Sequence, residues 1–161
     1  MYGWWSDTMT DFHLAQMNVA TLIAPPGDPS VAEFTAGVDL MNELADRSPG
    51  FVWRLKEEDV DLAALGIRAA PANQIATMSV WESLEALRGY VYQSGHLDYL
   101  RRRREWFVPG RSALVLWWVE AGRIPTLLDG LQRLKLLGET GPGPRAFTFR
   151  RTFPAPVLSR P

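Results

Sequence analysis

Two segments of this chain are apolar on both faces of a predicted strand, and they constrain the fold more than any other feature. They are Phe51–Trp53 and Leu114–Trp118. Successive side chains of a strand point to opposite faces, so both faces of such a sheet must be covered. Helices cover one face. A second sheet in a dimer, further helices, or the tryptophan-rich N-terminal segment could cover the other, and we expect the dimer.

Hydrophobic periodicity and turn residues predict the remaining elements in the order β-α-β-β-α-α-β-α-β. Asp28-Pro29 begins the first helix and Ser48-Pro49-Gly50 ends it. The predicted strands are Phe12–Val19, Phe51–Leu55, Gln74–Trp81, Ser112–Val119 and Ala146–Phe153, and the later helices are Ser83–Tyr92, one from His96 to Pro109 and one from Thr126. This order predicts an α+β fold, the ferredoxin-like split βαβ antiparallel sheet with helices on one face.

The length of 161 residues suits one domain. We expect a flexible leader at residues 1–11, a single ferredoxin-like α+β barrel domain at residues 12–153 and a tail at residues 154–161. The order of residues 57–72 is not predicted by their composition.

Composition excludes several classes of function. The chain has no cysteine and two histidines, so thiolate sites, iron–sulfur clusters and a multi-histidine metal site within one chain are not expected. The net charge of −1 gives no support to nucleic-acid binding. The N-terminus lacks the features of a secretory signal, and the longest apolar run, Ala113–Val119, is far shorter than the roughly 20 residues of a membrane helix. We therefore expect a cytoplasmic protein without a membrane partner.

Seven short motifs resemble a bacterial family of unknown function, the one numbered 3291, from residue 12 to about residue 153. They are HLAQMNVA (13–20), SPGFVWRL (48–55), SVWESLEAL (79–87), YQSGH (92–96), RRRREWF (101–107), LWWV (116–119) and AFTF (146–149). That family resembles the dimeric α/β-barrel superfamily, which pairs ferredoxin-like sheets into a barrel with a pocket in each half. The resemblance implies a homodimer. It also implies chemistry of the kind found in cofactor-free quinol monooxygenases, polyketide cyclases, muconolactone isomerases and haem proteins such as aldoxime dehydratases.

His96 is the strongest single candidate for a catalytic residue. It follows Ser94-Gly95 at a predicted helix N-terminus, where the helix dipole disfavours the imidazolium form. A neutral imidazole can act as a general base or ligate haem iron. The alternative is a structural histidine that hydrogen-bonds the backbone at the helix junction.

Gln16 and Asn18 place two amides on one face of the first strand. Buried amides must be hydrogen-bonded. In a barrel interior they would orient a substrate carbonyl or oxyanion, whereas against the helices they would make structural hydrogen bonds, and both interpretations stay open.

Tryptophans are the candidate lining of an apolar pocket. Trp53, Trp81 and Trp117 are the three residues we assign to this lining, although large aromatic residues in strands are more often plain core. Trp117 and Trp118 are adjacent, so one of them must face the helices and the other the opposite side.

Arg104 is the one arginine of the run Arg101–Arg104 that falls in helical phase with Leu97 and Leu100. We expect it to reach inward and counter the negative charge of a substrate, because a buried guanidinium needs an anionic partner.

Three functional hypotheses follow from these residues. The leading one is an enzyme of bacterial secondary metabolism that, without a cofactor, oxygenates, cyclises, isomerises or dehydrates a small, largely apolar organic molecule. The second is a haem enzyme with His96 as the axial ligand. The third is a non-catalytic dimer that binds a hydrophobic metabolite.

Overall fold

The chain alternates strands and helices in the predicted order up to its last helix. In the computed structural model the elements are β1 (Phe12–Leu22), α1 (Ala32–Arg47), β2 (Phe51–Arg54), β3 (Gln74–Trp81), α2 (Leu84–Gln93), α3 (His96–Arg101), β4 (Phe107–Glu120) and α4 (Leu127–Thr140). The structure describes residues 11–56, 58, 72–93 and 95–158. Residues 1–10 of the predicted leader, most of the predicted connection (57 and 59–71) and the end of the predicted tail (159–161) lie outside the described residues.

The four strands form one antiparallel sheet in the order β2-β3-β1-β4. Two βαβ-type connections with the first and third strands in the middle define the ferredoxin-like topology, so the predicted α+β fold class is confirmed. β1 is central, with Gln16 opposite Ser79 of β3 and Asn18 opposite Thr77. Because paired residues share a face, this register fixes which side chains meet.

The helix ends carry the capping signals that the sequence contains. The Asp28 carboxylate accepts from the backbone N–H of Ser30 at 2.9 Å, just before the 3-10 turn Pro29–Val31 that leads into α1. Thr126 and Asp129 form a capping box at the start of α4, with hydrogen bonds of 3.1 Å and 2.8 Å.

The two faces of the sheet are covered by different helices. The α1/α2 face carries Leu14 of β1 and Trp81 of β3, which pack with Ala45 of α1 and Leu87 of α2. The α4 face carries the alternate residues of β1, including Met17. There α4 approaches so closely that a Cβ at Gly130 would lie 2.4 Å from the Met17 sulfur.

α4 therefore supplies the cover that the doubly apolar strands demand. Leu127, Leu131 and Leu134 of α4 pack against the α4 face. We expected a second sheet in a dimer to cover this face. In the structure a further helix of the same chain, α4, covers it instead. The helices of the ferredoxin-like unit lie on one face as predicted, and α4 is an addition on the other.

Two predicted segments differ from the structure. The helix predicted from His96 to Pro109 ends at Arg101, and Pro109 and Gly110 lie within the long edge strand β4, where Gly110 has φ +72°. The strand predicted at Ala146–Phe153 is reduced to isolated bridges. One of them joins Phe147 to Leu116 through hydrogen bonds of 2.8 Å and 2.9 Å. This segment occupies the outer edge of β4 without forming a full strand.

No helix in the described part of the chain combines the length and the apolar character needed to cross a bilayer.

Candidate functional site

The apolar core on the α1/α2 face is divided into two clusters. Leu14 of β1 belongs to the first cluster, and Leu22, near the other end of the same strand, belongs to the second with Val31 and Trp106. Leu14 and Leu22 lie eight residues apart in one strand, a distance of about 26 Å at the usual rise of a strand. The sheet between the clusters is not apolar throughout.

A polar strip crosses the middle of this face. It consists of Gln16 and Asn18 of β1 and Thr77 of β3, with Leu114 of β4 beside Asn18, and we call it the central strip. Gln16, Asn18 and Leu114 are half-buried and Thr77 is exposed. β1 has a strand on each side, so a side chain in its middle is open only where the helix layer leaves room.

Helix α1 packs against both apolar clusters. Its residue Phe34 packs with the second cluster and Ala45 belongs to the first. Val38, between them, keeps 36% of its surface exposed. The helix therefore contacts the sheet on either side of the central strip, and the half-buried amides lie between these two contacts.

Ser79 connects the central strip to the first cluster. Its hydroxyl oxygen accepts from the amide nitrogen of Gln16 at 3.0 Å and from the indole nitrogen of Trp81 at 2.9 Å. Ser79 keeps only 8% of its surface exposed, and Trp81 is fully buried. Buried polar groups need hydrogen-bond partners, and here the Ser79 hydroxyl is the acceptor for both the Gln16 amide and the Trp81 indole.

The rings of Trp81, Tyr90 and His96 are in contact in that order, from the sheet to the helices. Tyr90 of α2 stacks on Trp81 with a centroid distance of 5.1 Å and an interplanar angle of 21°. The His96 ring lies 5.0 Å from the Tyr90 ring. The Tyr90 hydroxyl donates to the backbone carbonyl of Met41 in α1 at 3.1 Å. These contacts tie α1, α2 and the start of α3 to the sheet beside the central strip.

Burial shifts the protonation of both titratable rings towards the neutral form. It lowers the pKa of His96, although a hydrogen bond to the backbone of Val91 acts in the opposite direction. Burial also raises the pKa of Tyr90 to about 12. Neutral His96 is the form that can accept a proton.

An ion pair lies beside this group on the edge strand. Arg54 of β2 is opposite Ser79, and its guanidinium donates to both oxygens of Asp46 in α1, at 2.7 Å and 3.2 Å. The hydrogen bond from Arg54 holds the pKa of Asp46 below its usual value. A shallow hollow of about 330 Å³ runs along β2 at this pair and includes Trp53 and Lys56 in its wall.

The structure brings four of the predicted site residues to one face. Gln16, Asn18 and Trp81 are on the α1/α2 face, and His96 contacts them through Tyr90. Gln16 is also bonded to Ser79, as expected for an amide that faces the helices.

Trp53 and Trp117 lie on the other side of the sheet, in or against the α4 face cluster. Trp117 and Trp118 face opposite sides, as adjacency in a strand requires, and Trp118 donates its indole hydrogen bond to the carbonyl of Phe153 at 2.8 Å. Trp53 and Trp117 therefore do not line the space above the central strip.

The expectation that Arg104 reaches inward is wrong, because its side chain is exposed. The α-helix ends at Arg101, and the 3-10 turn Arg103–Glu105 changes the angle between successive side chains, so the phase with Leu97 and Leu100 is lost. The arginine that makes contacts is Arg102, which pairs with Glu33 and Glu105 and lies over the Trp106 ring at 4.7 Å.

Ser79 and Tyr90 are site residues that sequence analysis missed. Ser79 is a single hydroxyl in an apolar strand, and Tyr90 is one of several aromatic residues in a helix. The signal for Ser79 was the strand register, which places it opposite Gln16 across 63 residues of chain. Tyr90 is recognised only by its stacking on Trp81.

The described residues contain no group of three or more side chains that could hold a metal ion. Haem ligation by His96 would need a wide slot at a ring nitrogen. Instead the Nδ1 atom is buried, the ring packs on Tyr90, and the backbone of Val91 takes a hydrogen bond. The surroundings of His96 therefore do not fit haem.

Sequence comparison identifies the family. The domain of unknown function DUF3291 matches residues 13–160. The chain belongs to the family DUF3291. No curated protein sequence is significantly similar to it.

Solved structures of similar shape include small bacterial proteins. The cofactor-independent oxygenase SnoaB from Streptomyces nogalater is 23% identical with a TM-score of 0.45, over 71% of this chain and 96% of that one. The monooxygenase from ActVA-Orf6 of Streptomyces coelicolor, in complex with nanaomycin D, is 15% identical with a TM-score of 0.44, over 72% and 95%. NE2512 from Nitrosomonas europaea, of unknown function, is 10% identical with a TM-score of 0.47, over 72% and 97%. At these scores the likeness carries no argument about function.

Proposed function

We propose that this protein is an enzyme that acts on a small, largely apolar organic molecule bound between the central strip and the helices. The observation that carries this proposal is the central strip itself, with half-buried amides at Gln16 and Asn18 in the middle of a sheet. A sheet face that contributed only to stability would have apolar residues at these positions, as the α4 face has. An apolar site with a few convergent polar groups is typical of small-molecule pockets.

Each group near the strip has a distinct role in this proposal. Trp81 and Tyr90 offer apolar ring surface to the substrate. Gln16 and Asn18 orient its oxygen atoms, and neutral His96 takes or returns a proton. Oxygenation, cyclisation, isomerisation and dehydration of such molecules share one early step, removal of a proton from a hydroxyl or from a carbon next to a carbonyl. We propose this step as the common chemistry.

Proton exchange tests this step without knowledge of the natural substrate. In D₂O, the protein should accelerate exchange of the C1 protons of 2-tetralone, followed by ¹H NMR. Replacement His96→Gln should reduce the accelerated rate by about a hundredfold or more if His96 is the general base. His13→Gln is the matched control, because His13 is the other histidine and lies opposite Val119 on the α4 side of β1. Equal rates for folded H96Q and H13Q would overturn the role of His96.

A non-catalytic binder is the second candidate. The hydrogen bond between His96 and the Val91 backbone favours it, because a structural histidine makes such a bond at a helix junction. This candidate predicts that 2-tetralone binds without accelerated exchange and that H96Q binds it as well as the natural protein.

The homodimer and the cytoplasmic location belong to the same proposal. The homodimer rests on the resemblance to the dimeric α/β-barrel proteins alone, because α4 covers the sheet face that a second chain was expected to cover. The cytoplasmic location rests on the sequence. Native mass spectrometry tests the assembly, and a single-chain mass at micromolar protein concentration would contradict the dimer.

A further inference from the structure

The hydroxyl of Ser79 is restricted to one direction of hydrogen bonding. An indole N–H can only donate, so the bond from Trp81 makes the Ser79 oxygen an acceptor. The amide nitrogen of Gln16 donates to the same oxygen. A hydroxyl has two lone pairs and one proton. Both lone pairs are therefore in use, and Ser79 can form a further hydrogen bond only by donating.

That proton has no acceptor within the part of the chain that the structure describes. Ser79 is on the same face as Thr77, two residues along β3, and directly opposite Gln16, so it borders the central strip. A donor whose own acceptor sites are filled is held in one orientation. Such a donor distinguishes ligands that accept a hydrogen bond from ligands that cannot.

We infer that Ser79 is a specificity-determining residue, which selects ligands with an acceptor oxygen, such as a carbonyl or a phenolate, over the central strip. The inference rests on the proposed function, because it requires a ligand in that space. It adds the substrate class: an apolar ring system whose oxygen atom faces β3. Trp81 and Gln16 then act as positioning residues, since they fix the direction of the Ser79 hydroxyl.

Two probes of nearly equal shape test the inference. 2-Tetralone has a carbonyl oxygen and tetralin has none, and the dissociation constant of each is measured by NMR titration with the full chain. Replacement Ser79→Ala should weaken 2-tetralone binding by about three- to tenfold, the equivalent of one ordinary hydrogen bond. Tetralin binding should stay unchanged. Ser112→Ala is the control, because Ser112 is an exposed serine in β4.

The Trp81 indole proton provides a second readout that a change of shape alone would not produce. When a ligand accepts the Ser79 proton, the Ser79 oxygen becomes a stronger acceptor. The indole resonance, assigned with Trp81→Phe, should therefore move downfield with 2-tetralone and not with tetralin. If Ser79→Ala does not fold, Ser79→Cys keeps the shape with a weak donor and should show the same selective loss.

The other outcomes separate two failures. Equal affinity of the natural protein for both probes, or equal weakening of both by Ser79→Ala, would overturn the role of Ser79 and leave the site in place. Failure of both probes to bind the natural protein would overturn this inference together with the proposed function.

Discussion

The two faces of one sheet carry alternate residues of the same strands, and they are built differently. On the α4 face, Ala15, Met17 and Trp117 belong to one continuous apolar cluster. On the α1/α2 face, the core is divided by the central strip, in which Gln16 and Asn18 are half-buried. The α4 face is suited to stability. The α1/α2 face gives up apolar packing in the middle of the sheet, and this is the place where the proposed function requires a ligand.

The largest expected effect tests the stability of the α4 face. Trp117 is 1% exposed, so Trp117→Ala should lower the free energy of unfolding by about 3–5 kcal/mol, through lost burial and the cavity left behind. Asn18→Ala on the other face should change it by no more than about 0.5 kcal/mol. Urea unfolding measures both, and similar losses for the two variants would contradict the contrast between the faces.

A smaller effect is expected for the polar group that borders the central strip. Ser79→Ala removes the acceptor of the buried Trp81 indole, so the free energy of unfolding should fall by about 1–3 kcal/mol. Trp81→Phe in the same protein removes the unsatisfied donor. In a double-mutant cycle the pair should therefore cost less than the sum of the single changes, whereas simple additivity would mean that this hydrogen bond contributes little.

The attachment of α4 depends partly on its N-terminal cap. Thr126→Ala removes the hydroxyl that accepts from the Asp129 backbone N–H, and it should cost about 1 kcal/mol of stability. Thr140→Ala, at the other end of the helix, is the control and should cost less, because its hydroxyl caps no N–H group. Thermal unfolding of the two variants makes the comparison.

The smallest expected effect concerns pH and separates the two histidines. Burial holds the pKa of folded His96 below its usual 6.5, so in mild acid the unfolded chain binds a proton more readily than the folded chain. Stability should therefore decline as the pH falls through about 6.5 towards the folded pKa. His96→Gln should flatten this decline and His13→Gln should not. Urea midpoints between about pH 5 and pH 8 test this, and a decline of unchanged slope in H96Q would contradict the assignment.

Much of the fold was predictable because local signals and tertiary structure agree. β3 has the predicted limits, Gln74–Trp81, and α1 begins after Asp28-Pro29 and ends before Ser48-Pro49-Gly50. The predicted end of the helix that begins at His96 was wrong, because proline and glycine occur in edge strands as well as at helix ends. Pro109 and Gly110 are tolerated in β4 because it is an edge strand, whereas they were interpreted as the end of a helix.

The candidate site was only partly predictable. The sequence singled out Gln16, Trp81 and His96 as residue types with chemical potential. It could not show that Ser79 joins two of them, because this contact depends on the register of two strands far apart in sequence. It also placed Arg104 inward, since helical phase was extended beyond the point where the helix ends.

The position of α4 has a consequence for how folding depends on protein concentration. A sheet face covered by a second copy would gain stability by mass action, with an unfolding midpoint that rises as the protein is concentrated. Here Leu127, Leu131 and Leu134 cover that face from within the same chain. Their contribution is the same in a dilute cell extract and in a concentrated sample, and any association of two chains must use other surface or displace α4.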